Sequence, residues 1–399
     1  MSWEYKTLDE LGSVSRGRSK HRPRNDETLF GGKYPFVQTS DVKKANLYLT
    51  EYESTYNEKG LEQSKLWKAG TLCITIAANI ADTAILGIDA CFPDSVMGFI
   101  PYDGIANVKF VKYAFDMLQR DCKQISQGTA QDNLSWKKLS TIKFPAPDIE
   151  VQNKIVNYLS AYDDLIENNK KQIKLLEEAA ERLYREWFVD LHFPGCENTE
   201  IIDGEPEGWK KQKISEFGEI ITGKTPSTTK EQYYGGNIPF VKIPDMHNCV
   251  YPIVTESTLT TEGANTQKNK FIPKNGIMVS CIATVGLVNI AIEPCQTNQQ
   301  INSIVLHDER DLYYTYFTMK RLKALLEGVG SNGATMTNVN KTKFGNLEVL
   351  YPSNNLRKDY FDYCKPIFEE IYALSVGVHK LSQVRDGLLP KLMSGEIEV

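Results

Sequence analysis

The chain has 399 residues, of which 41% are hydrophobic and 24% charged, and its net charge at pH 7 is −5. This length is too great for one hydrophobic core and predicts two or three domains of ordinary globular composition. No apolar run approaches the ~18 residues of a membrane span, and the start of the chain lacks the layout of a signal peptide, so we expect a cytoplasmic protein with no membrane partner.

The acidic excess is confined to one stretch. Residues 151–203 carry 11 acidic and 6 basic side chains, whereas residues 1–150 carry 19 of each. The parts on either side of that stretch are close to neutral. DNA binding would therefore depend on local basic clusters and would show a moderate salt dependence.

The opening of the chain is repeated. Residues 3–17 (WEYKTLDELGSVSRG) reappear as residues 209–223 (WKKQKISEFGEIITG), 206 positions later. A polar loop follows each copy, and the basic loop of the first copy holds five Arg or Lys within nine residues, which suits contact with phosphates. An exposed loop without function explains the pattern equally well. The candidate DNA-binding residues of the two loops are Arg16, Arg18, Lys20, Arg22 and Arg24, and Lys224, Thr225, Ser227, Thr228 and Lys230.

Both copies then continue into a Pro-Phe-Val strand, at residues 35–37 and 239–241. Short hydrogen-bonding side chains at the end of such a strand are placed to read base edges. Cys91 and Cys295 also match, and glycines before β-branched runs predict a strand-rich middle in each copy. The candidates at the strand ends are Gln38, Thr39, Ser40 and Lys242.

Amphipathic helices are predicted over residues 113–124 and 312–327, and a glycine-centred polar loop follows each of them. Amide and hydroxyl side chains in these loops can read bases, although ordinary turn chemistry is the simpler explanation. The candidates are Gln127, Thr129, Gln131 and Asn133, and Asn332, Thr335, Thr337 and Asn338.

Each copy ends in a long helix with an apolar seam at alternating steps of four and three residues, which is typical of a coiled coil. The chain thus predicts a globular part at 1–147, a central long helix at 148–190, a linker at 191–208, a second globular part at 209–352 and a C-terminal long helix at 353–393. Pro366 predicts a kink or a late start in the second helix. The seam residues are Ile155, Leu159, Tyr162, Ile166, Asn169, Ile173, Leu176, Leu183 and Trp187, and Ile367, Ile371, Leu374, Val378, Leu381, Leu388 and Leu392.

If the two helices pair antiparallel, Trp187 meets Tyr360, and Arg385 meets the ring of Tyr162. We also expect Tyr184, Phe188 and Met393 to remain exposed beyond the seam, where they would invite a third partner.

Motifs for catalysis or metal binding are missing. The eight cysteines form no C-x-x-C and the five histidines no H-x-x-x-H, so buried, reduced thiols are expected rather than a metal site. The sequence also lacks a phosphate-binding GxxxxGK[ST] loop and the Asn-Pro-Pro turn of amino-group methyltransferases. With no catalytic residue to propose, we expect a binding protein rather than an enzyme.

Four segments resemble signatures of one known family: GKTPS (223–227), YGGNIPFV (234–241), EWFVD (186–190) and LLPKLMSGEI (388–397). The chain is identified by them as similar, over its whole length, to the specificity subunit of type I restriction-modification systems. Phe240 stands where the family often has Trp. The Pro-Lys pair of the last segment is replaced by Arg185-Glu186 in the first copy.

The resemblance implies an α+β fold. Two similar mixed α/β target-recognition domains would be separated by two long antiparallel helices that form a coiled coil, with a pseudo-twofold internal repeat. Each domain would read one half of a bipartite, asymmetric target in double-stranded DNA, and the chain would bind no cofactor itself. Two modification subunits with S-adenosylmethionine would methylate adenine, and restriction subunits with ATP and Mg would translocate and cut.

Two other classes remain open. A similar subunit serves equally in a methylation-only or phage-defence complex, and a duplicated coiled-coil adaptor could bind protein alone. A neighbouring gene encoding Asn-Pro-Pro-Phe or Asn-Pro-Pro-Tyr would favour DNA recognition over the adaptor.

Overall fold

The computed structural model describes residues 3–76, 82–125, 136–330 and 338–399. The chain divides into two compact units, one of Met1–Ile166 with Lys380–Val399 and one of Glu167–His379. We call them unit 1 and unit 2. Each unit combines one globular part with a segment of both long helices, because the apolar seam ends are buried in the core beside them. The division therefore falls inside the two long helices.

The described residues of unit 1 form eleven strands in three sheets, five shorter helices and the first part of the central helix. Its strands are β1 (Glu4–Lys6), β2 (Gly12–Arg16), β3 (Phe30–Phe36), β4 (Tyr48–Leu49), β5 (Ser54–Tyr56), β6 (Leu66–Trp67), β7 (Leu72–Thr75), β8 (Thr83–Leu86), β9 (Ala90–Cys91), β10 (Val96–Pro101) and β11 (Phe144–Ala146). Its helices are α1 (Leu8–Leu11), α2 (Thr39–Lys44), α3 (Glu58–Glu62), α4 (Val108–Ile125), α5 (Trp136–Leu139) and the start of α6 (Ile149–Phe188), with a 3-10 turn at Glu27–Leu29.

Unit 2 contains the end of α6 and a second set of strands and helices. The strands are β12 (Ile201–Ile202), β13 (Glu205–Pro206), β14 (Lys210–Lys213), β15 (Gly218–Thr222), β16 (Tyr234–Val241), β17 (Ser257–Leu259), β18 (Ile277–Ser280), β19 (Val288–Ile290), β20 (Gln296–Thr297), β21 (Ile301–Leu306) and β22 (Glu348–Tyr351). The helices are α7 (Ile214–Phe217), α8 (Thr261–Asn265), α9 (Leu312–Arg321), α10 (Lys323–Gly330), α11 (Lys341–Gly345) and α12 (Asn354–Met393), whose last part belongs to unit 1. Within the described part of unit 2, 3-10 turns lie at Cys196–Asn198, Glu231–Tyr233, Ile243–Met246, Lys268–Lys270 and Glu309–Asp311.

The sheets of the two units repeat each other. The order β2-β10-β7-β8 of unit 1 returns as β15-β21-β18-β19, the order β5-β3-β9 as β17-β16-β20, and the pair β1-β11 as β14-β22. In unit 1, β3 runs parallel to the short strand β9, and in unit 2, β16 runs parallel to the short strand β20. The internal repeat predicted from the sequence is confirmed, and so is the mixed α/β character of both halves.

The same irregularity marks β3 and β16. Their register against β5 and β17 shifts after the first residue, between Phe30 and Tyr34 and between Tyr234 and Ile238. A Cβ on Gly32 would lie 2.3 Å from the Cα of Asn57, so the close approach of the two chains requires glycine there.

The core of unit 1 lies between the five-stranded sheet, α4 and the long helices. Phe99 of β10 and Phe115 of α4 are fully buried there, together with Ile155 and Leu159 of α6 and Leu392 of α12. Burial of these seam residues places the α12 end beside the start of α6. The two helices are thus antiparallel within unit 1.

The core of unit 2 is rich in aromatic residues. Phe188 of α6 meets Tyr360 of α12 edge to face, with ring centroids 5.0 Å apart, and Trp187 lies 5.9 Å from the same ring. The hydroxyl of Tyr360 donates to the carbonyl oxygen of Ala180 at 3.0 Å. The predicted meeting of Trp187 and Tyr360 is therefore observed, and the helices are antiparallel here as well.

The expectation that three helix residues remain exposed is wrong. Tyr184, Phe188 and Met393 are buried, at 6, 7 and 5% exposure, because each packs into the core of its own unit. Helix α12 begins at Asn354 and continues through Pro366, so the late start, one of the two outcomes predicted for this proline, is wrong.

The partner of Arg385 also differs from the expected one. Its guanidinium donates to the Asp163 carboxylate at 2.7 Å, and the Tyr113 hydroxyl donates to the same carboxylate at 2.5 Å. Asp163 is only 4% exposed, so an ion pair there satisfies a buried charge that the ring of Tyr162 could not.

The remaining seam residues are buried or half-buried where they are described. Ile166 and Ile371 are fully buried, and the others form the partly covered middle of the seam: Tyr162, Asn169, Ile173, Leu176, Leu183, Ile367, Leu374, Val378, Leu381 and Leu388.

Candidate DNA interface

In unit 1 the basic loop and the end of β3 meet at the end of β9. The Val37 N–H donates to the carbonyl oxygen of Cys91 at 2.8 Å, and the Arg18 N–H donates to that of Phe92 at 3.0 Å. The sequence predicted DNA-binding residues separately around Arg18 and around Gln38, and the structure brings these two segments to one edge.

Unit 2 has the same arrangement. The Asn298 N–H donates to the carbonyl oxygen of Val241 at 3.2 Å, and the Lys224 N–H donates to that of Thr297 at 2.9 Å. The polar loop that contains Lys224 and the strand end that precedes Lys242 therefore meet at the end of β20. We call this edge the strand junction of each unit.

The basic loop of unit 1 contains both paired and unpaired cations. All five of its Arg and Lys side chains are exposed, but Arg24 donates twice to Asp94, at 2.7 and 2.9 Å. Arg22 donates to the carbonyl oxygens of Ser19 and His21 and lies 3.9 Å from Asp94.

The other three cations of this loop, Arg16, Arg18 and Lys20, form no ion pair with another described residue. The positive charge available to DNA is therefore smaller than five cations would give.

An acidic residue lies just after the basic loop. Asp26 accepts hydrogen bonds from the hydroxyl and N–H of Thr28, and its carboxylate lies 2.7 Å from Nε2 of His21. These donors, with Thr28 first, lower the pKa of Asp26 to about 2. Asp26 is therefore ionised at neutral pH and holds the turn that leads into β3.

The strand-end candidates of unit 1 lie at the beginning of α2. Gln38 is exposed directly before the helix, and its N–H donates to the Asp41 carboxylate at 2.8 Å. Thr39 and Ser40 occupy the first turn of the helix, where Thr39 is half-buried and Ser40 is exposed. Only Gln38 and Ser40 therefore present an open side chain.

The candidates of unit 2 are held more tightly. The Thr225 hydroxyl donates to Oε1 of Gln299 at 2.7 Å, and Lys230 donates to the Tyr233 hydroxyl at 3.0 Å, which raises the pKa of Lys230. Lys242 donates to Glu256 at 2.8 Å and lowers the pKa of that carboxyl.

Lys224 is exposed and forms no ion pair with another residue of the described ranges. Ser227 and Thr228 are also exposed, and the Ser227 hydroxyl bonds to Thr229 at 2.9 Å. Lys224 is thus the open cation of this loop.

The sequence reading missed the residues that follow β9 and β20. In unit 1 the turn after β9 contains Asp94. In unit 2 the residues after β20 are Asn298, Gln299 and Gln300. The Asn298 amide donates to Gln300 at 2.9 Å, and Gln299 is exposed. The amide-rich run QTNQQ at 296–300 is the signal that could have identified them.

Some candidates lie outside the described residues, namely Gln127, Thr129, Gln131, Asn133, Asn332, Thr335 and Thr337. Asn338 is described, and it is exposed and forms an isolated bridge with Ile282.

The described ranges also bear on metal and membrane binding. No group of three or more His, Cys, Asp or Glu there could hold a metal ion, and no helix there is long and apolar enough to cross a membrane. Burial raises the pKa of the Cys281 thiol to about 11 and that of Cys295 to about 12, so both are unreactive thiols.

Comparison with known proteins agrees with the repeated architecture. The family model described as the type I restriction modification DNA specificity domain matches residues 1–178 and again residues 206–371. The chain belongs to this family. Two matches in one chain correspond to the two repeats seen in the sheets, and they confirm that the chain is a specificity subunit of the type I class.

Individual relatives match along almost the whole chain. The Type I restriction enzyme HindI specificity subunit of Haemophilus influenzae is 29% identical and the match covers 97% of this chain and 98% of that protein. The MjaIX specificity subunit of Methanocaldococcus jannaschii is 25% identical, covering 100% and 94%. The crystal structure of a type I S subunit from M. genitalium shares the fold at 16% identity, with a TM-score of 0.57 and coverage of 98% and 96%.

Proposed function

We propose that this specificity subunit binds a bipartite, asymmetric DNA target, with unit 1 reading one half and unit 2 the other. The observation that carries the proposal is the repeated strand junction. In each unit an exposed cation, Arg18 or Lys224, lies beside hydrogen-bonding side chains at the end of paired parallel strands. Cations suit phosphates, and amide side chains suit base edges, so each junction holds both kinds of contact.

The two junctions differ in the side chains that would read bases. Unit 1 presents Gln38 and Ser40, whereas unit 2 presents Gln299 and the side chains around it. The same strand junction with different base-reading side chains favours two different half-sites and hence an asymmetric target.

The chain itself would be non-catalytic. We propose that two modification subunits bind S-adenosylmethionine and methylate adenine, and that restriction subunits with ATP and Mg complete the complex. Both long helices expose large apolar side chains away from their seam, among them Leu165 at 50%, Leu175 at 54% and Tyr363 at 57% exposure. Such side chains on a helix surface support docking of a partner.

The testing experiment is to map methylated adenines in DNA from cells that carry this chain with its modification subunit. One bipartite motif is expected. A hybrid in which residues 1–145 come from a relative should change one half of the motif and preserve the other. Loss of both halves in a hybrid that still assembles would contradict independent reading. A modification subunit that methylates the same sites without this chain would contradict the specificity role itself.

A further inference from the structure

In unit 1 the main chain of Arg18, which follows Gly17 in the basic loop, is hydrogen-bonded on both sides. The Arg18 N–H donates to the carbonyl oxygen of Phe92 at 3.0 Å, and the Arg18 carbonyl oxygen accepts from the Ser64 hydroxyl at 2.8 Å. Arg18 is exposed, whereas Ser64 is only 6% exposed. The buried Ser64 hydroxyl thus donates its hydrogen bond to the main chain of a surface loop.

Unit 2 holds the matching residue in the same way with a different side chain. The Lys224 N–H donates to the carbonyl oxygen of Thr297 at 2.9 Å, and its carbonyl oxygen accepts from Nε2 of Gln267 at 2.7 Å. Gln267 is 4% exposed and also donates to Gln296 at 2.8 Å. Arg18 and Lys224 are 206 positions apart, which is the spacing of the sequence repeat.

The two holding residues also come from equivalent places. Each follows a short helix, α3 or α8, whose N-cap side chain accepts from a glycine N–H, Gly60 in one unit and Gly263 in the other. Ser64 and Gln267 lie four residues after those glycines. The arrangement therefore recurs although the holding side chains differ in size and chemistry.

The glycine before each cation packs closely against the segment after β9 or β20. A Cβ on Gly17 would lie 2.3 Å from the carbonyl oxygen of Pro93, and one on Gly223 would lie 2.1 Å from that of Asn298. Main-chain contact on one side and a buried donor on the other fix where the cation leaves the surface.

We infer that Ser64 and Gln267 are positioning residues for DNA binding, each fixing the main chain from which Arg18 or Lys224 reaches a DNA phosphate. The inference rests on the proposed function. Phosphate contacts set the register of a protein on the duplex, and a loop ordered before binding loses less entropy when it binds. Arg18 and Lys224 would then contact equivalent phosphates in the two half-sites in the same way.

The test is a double-mutant cycle in the full chain assembled with its modification subunit. Ser64→Ala, Arg18→Ala and the double variant are titrated with one fluorescent duplex at several salt concentrations. Arg18→Ala should lower the salt slope by about 0.9, the value for one phosphate contact. Ser64→Ala should weaken binding by about fivefold, the order of one lost hydrogen bond, and lower the slope in part.

The double variant should bind no worse than Arg18→Ala alone, because Ser64 acts through Arg18. Effects that multiply would mean that Ser64 supports only the general stability of the unit, and this would overturn the inference. A wild-type complex that bound no duplex at any salt concentration would instead overturn the proposed function.

Unit 2 gives an independent cycle with Gln267→Met and Lys224→Ala, which decides the question should Ser64→Ala fail to fold. Matched controls remove a buried hydroxyl that bonds to nothing among the described residues. Thr83→Val in unit 1 and Ser303→Ala in unit 2 are such changes, and both should bind with wild-type affinity and salt slope.

Discussion

Asp94 shows how a single residue sets the charge that the basic loop offers to DNA. The loop contains no acid between Arg16 and Arg24, so the sequence suggested five available cations. The acid arrives from a turn 70 positions later in the chain, because the loop packs on the connection between β9 and β10. Contacts at such separation depend on the sheet topology, which loop composition does not report.

The first prediction follows from this pair. Asp94→Asn should release Arg24 to DNA, strengthen binding to all sequences and steepen the salt slope by up to about 0.9. Arg24→Ala should weaken binding less than Arg16→Ala, because Arg24 must first leave Asp94. Both are measured by titrating the assembled complex with one duplex at several salt concentrations. Equal losses in the two arginine variants would show that the Asp94 pair does not hold Arg24 back.

The second prediction concerns base readout. Changing Gln38 to Ala should alter the first half-site and changing Gln299 to Ala the second, with about 1–3 kcal/mol per lost base contact. Methylation mapping of each variant reads the result directly. Gln172→Ala, which removes an exposed amide on α6, serves as the control. If both variants kept the motif but bound every sequence more weakly, Gln38 and Gln299 would be assigned to contacts with the DNA backbone instead.

At the scale of elements, the sequence located the repeats better than it located their pairing. The loop glycines and the Pro-Phe-Val strands fall at equivalent places in both units, as the 206-residue spacing predicted. The parallel pairing of β3 with β9 was not predictable, since β9 has two residues and no periodicity to read. That pairing creates the strand junction, so the site emerged only from the structure.

The third prediction tests the pair that joins α6 to α12 in unit 1. Arg385→Met leaves the carboxylate of Asp163, which is 4% exposed, without its cation. Because Arg385 itself is 26% exposed, we expect a loss of about 2–3 kcal/mol in the free energy of unfolding, somewhat below that of a fully buried pair. Chemical denaturation measures it.

A matched control is available on the surface of the same unit. Lys44→Met removes an ion pair with Glu53 in which both side chains are well exposed, and its cost in the free energy of unfolding should be much smaller. Similar losses in the two variants would mean that the Asp163 pair contributes no more than a surface contact.

The whole molecule raises the question of what sets the distance between the two half-sites. Ile155 and Trp187 lie 32 residues apart in the uninterrupted helix α6. At ~1.5 Å per residue this corresponds to about 48 Å along the helix, or roughly 14 base pairs at ~3.4 Å each. If the long helices act as the ruler of the complex, the half-sites should be centred a little over one turn of DNA apart.

The last prediction lengthens that ruler. The two compact units divide α6 after Ile166 and α12 after His379, so a heptad inserted at both places lengthens both long helices at the division. Seven residues preserve the seam spacing and add about 10.5 Å. The unread gap should then grow by about three base pairs while both half-sites stay unchanged. Since three base pairs also turn the duplex by about a third of a helical turn, we expect weaker binding as well. Methylation mapping of the variant measures the gap, and a gap of the original length would show that the helices do not set it.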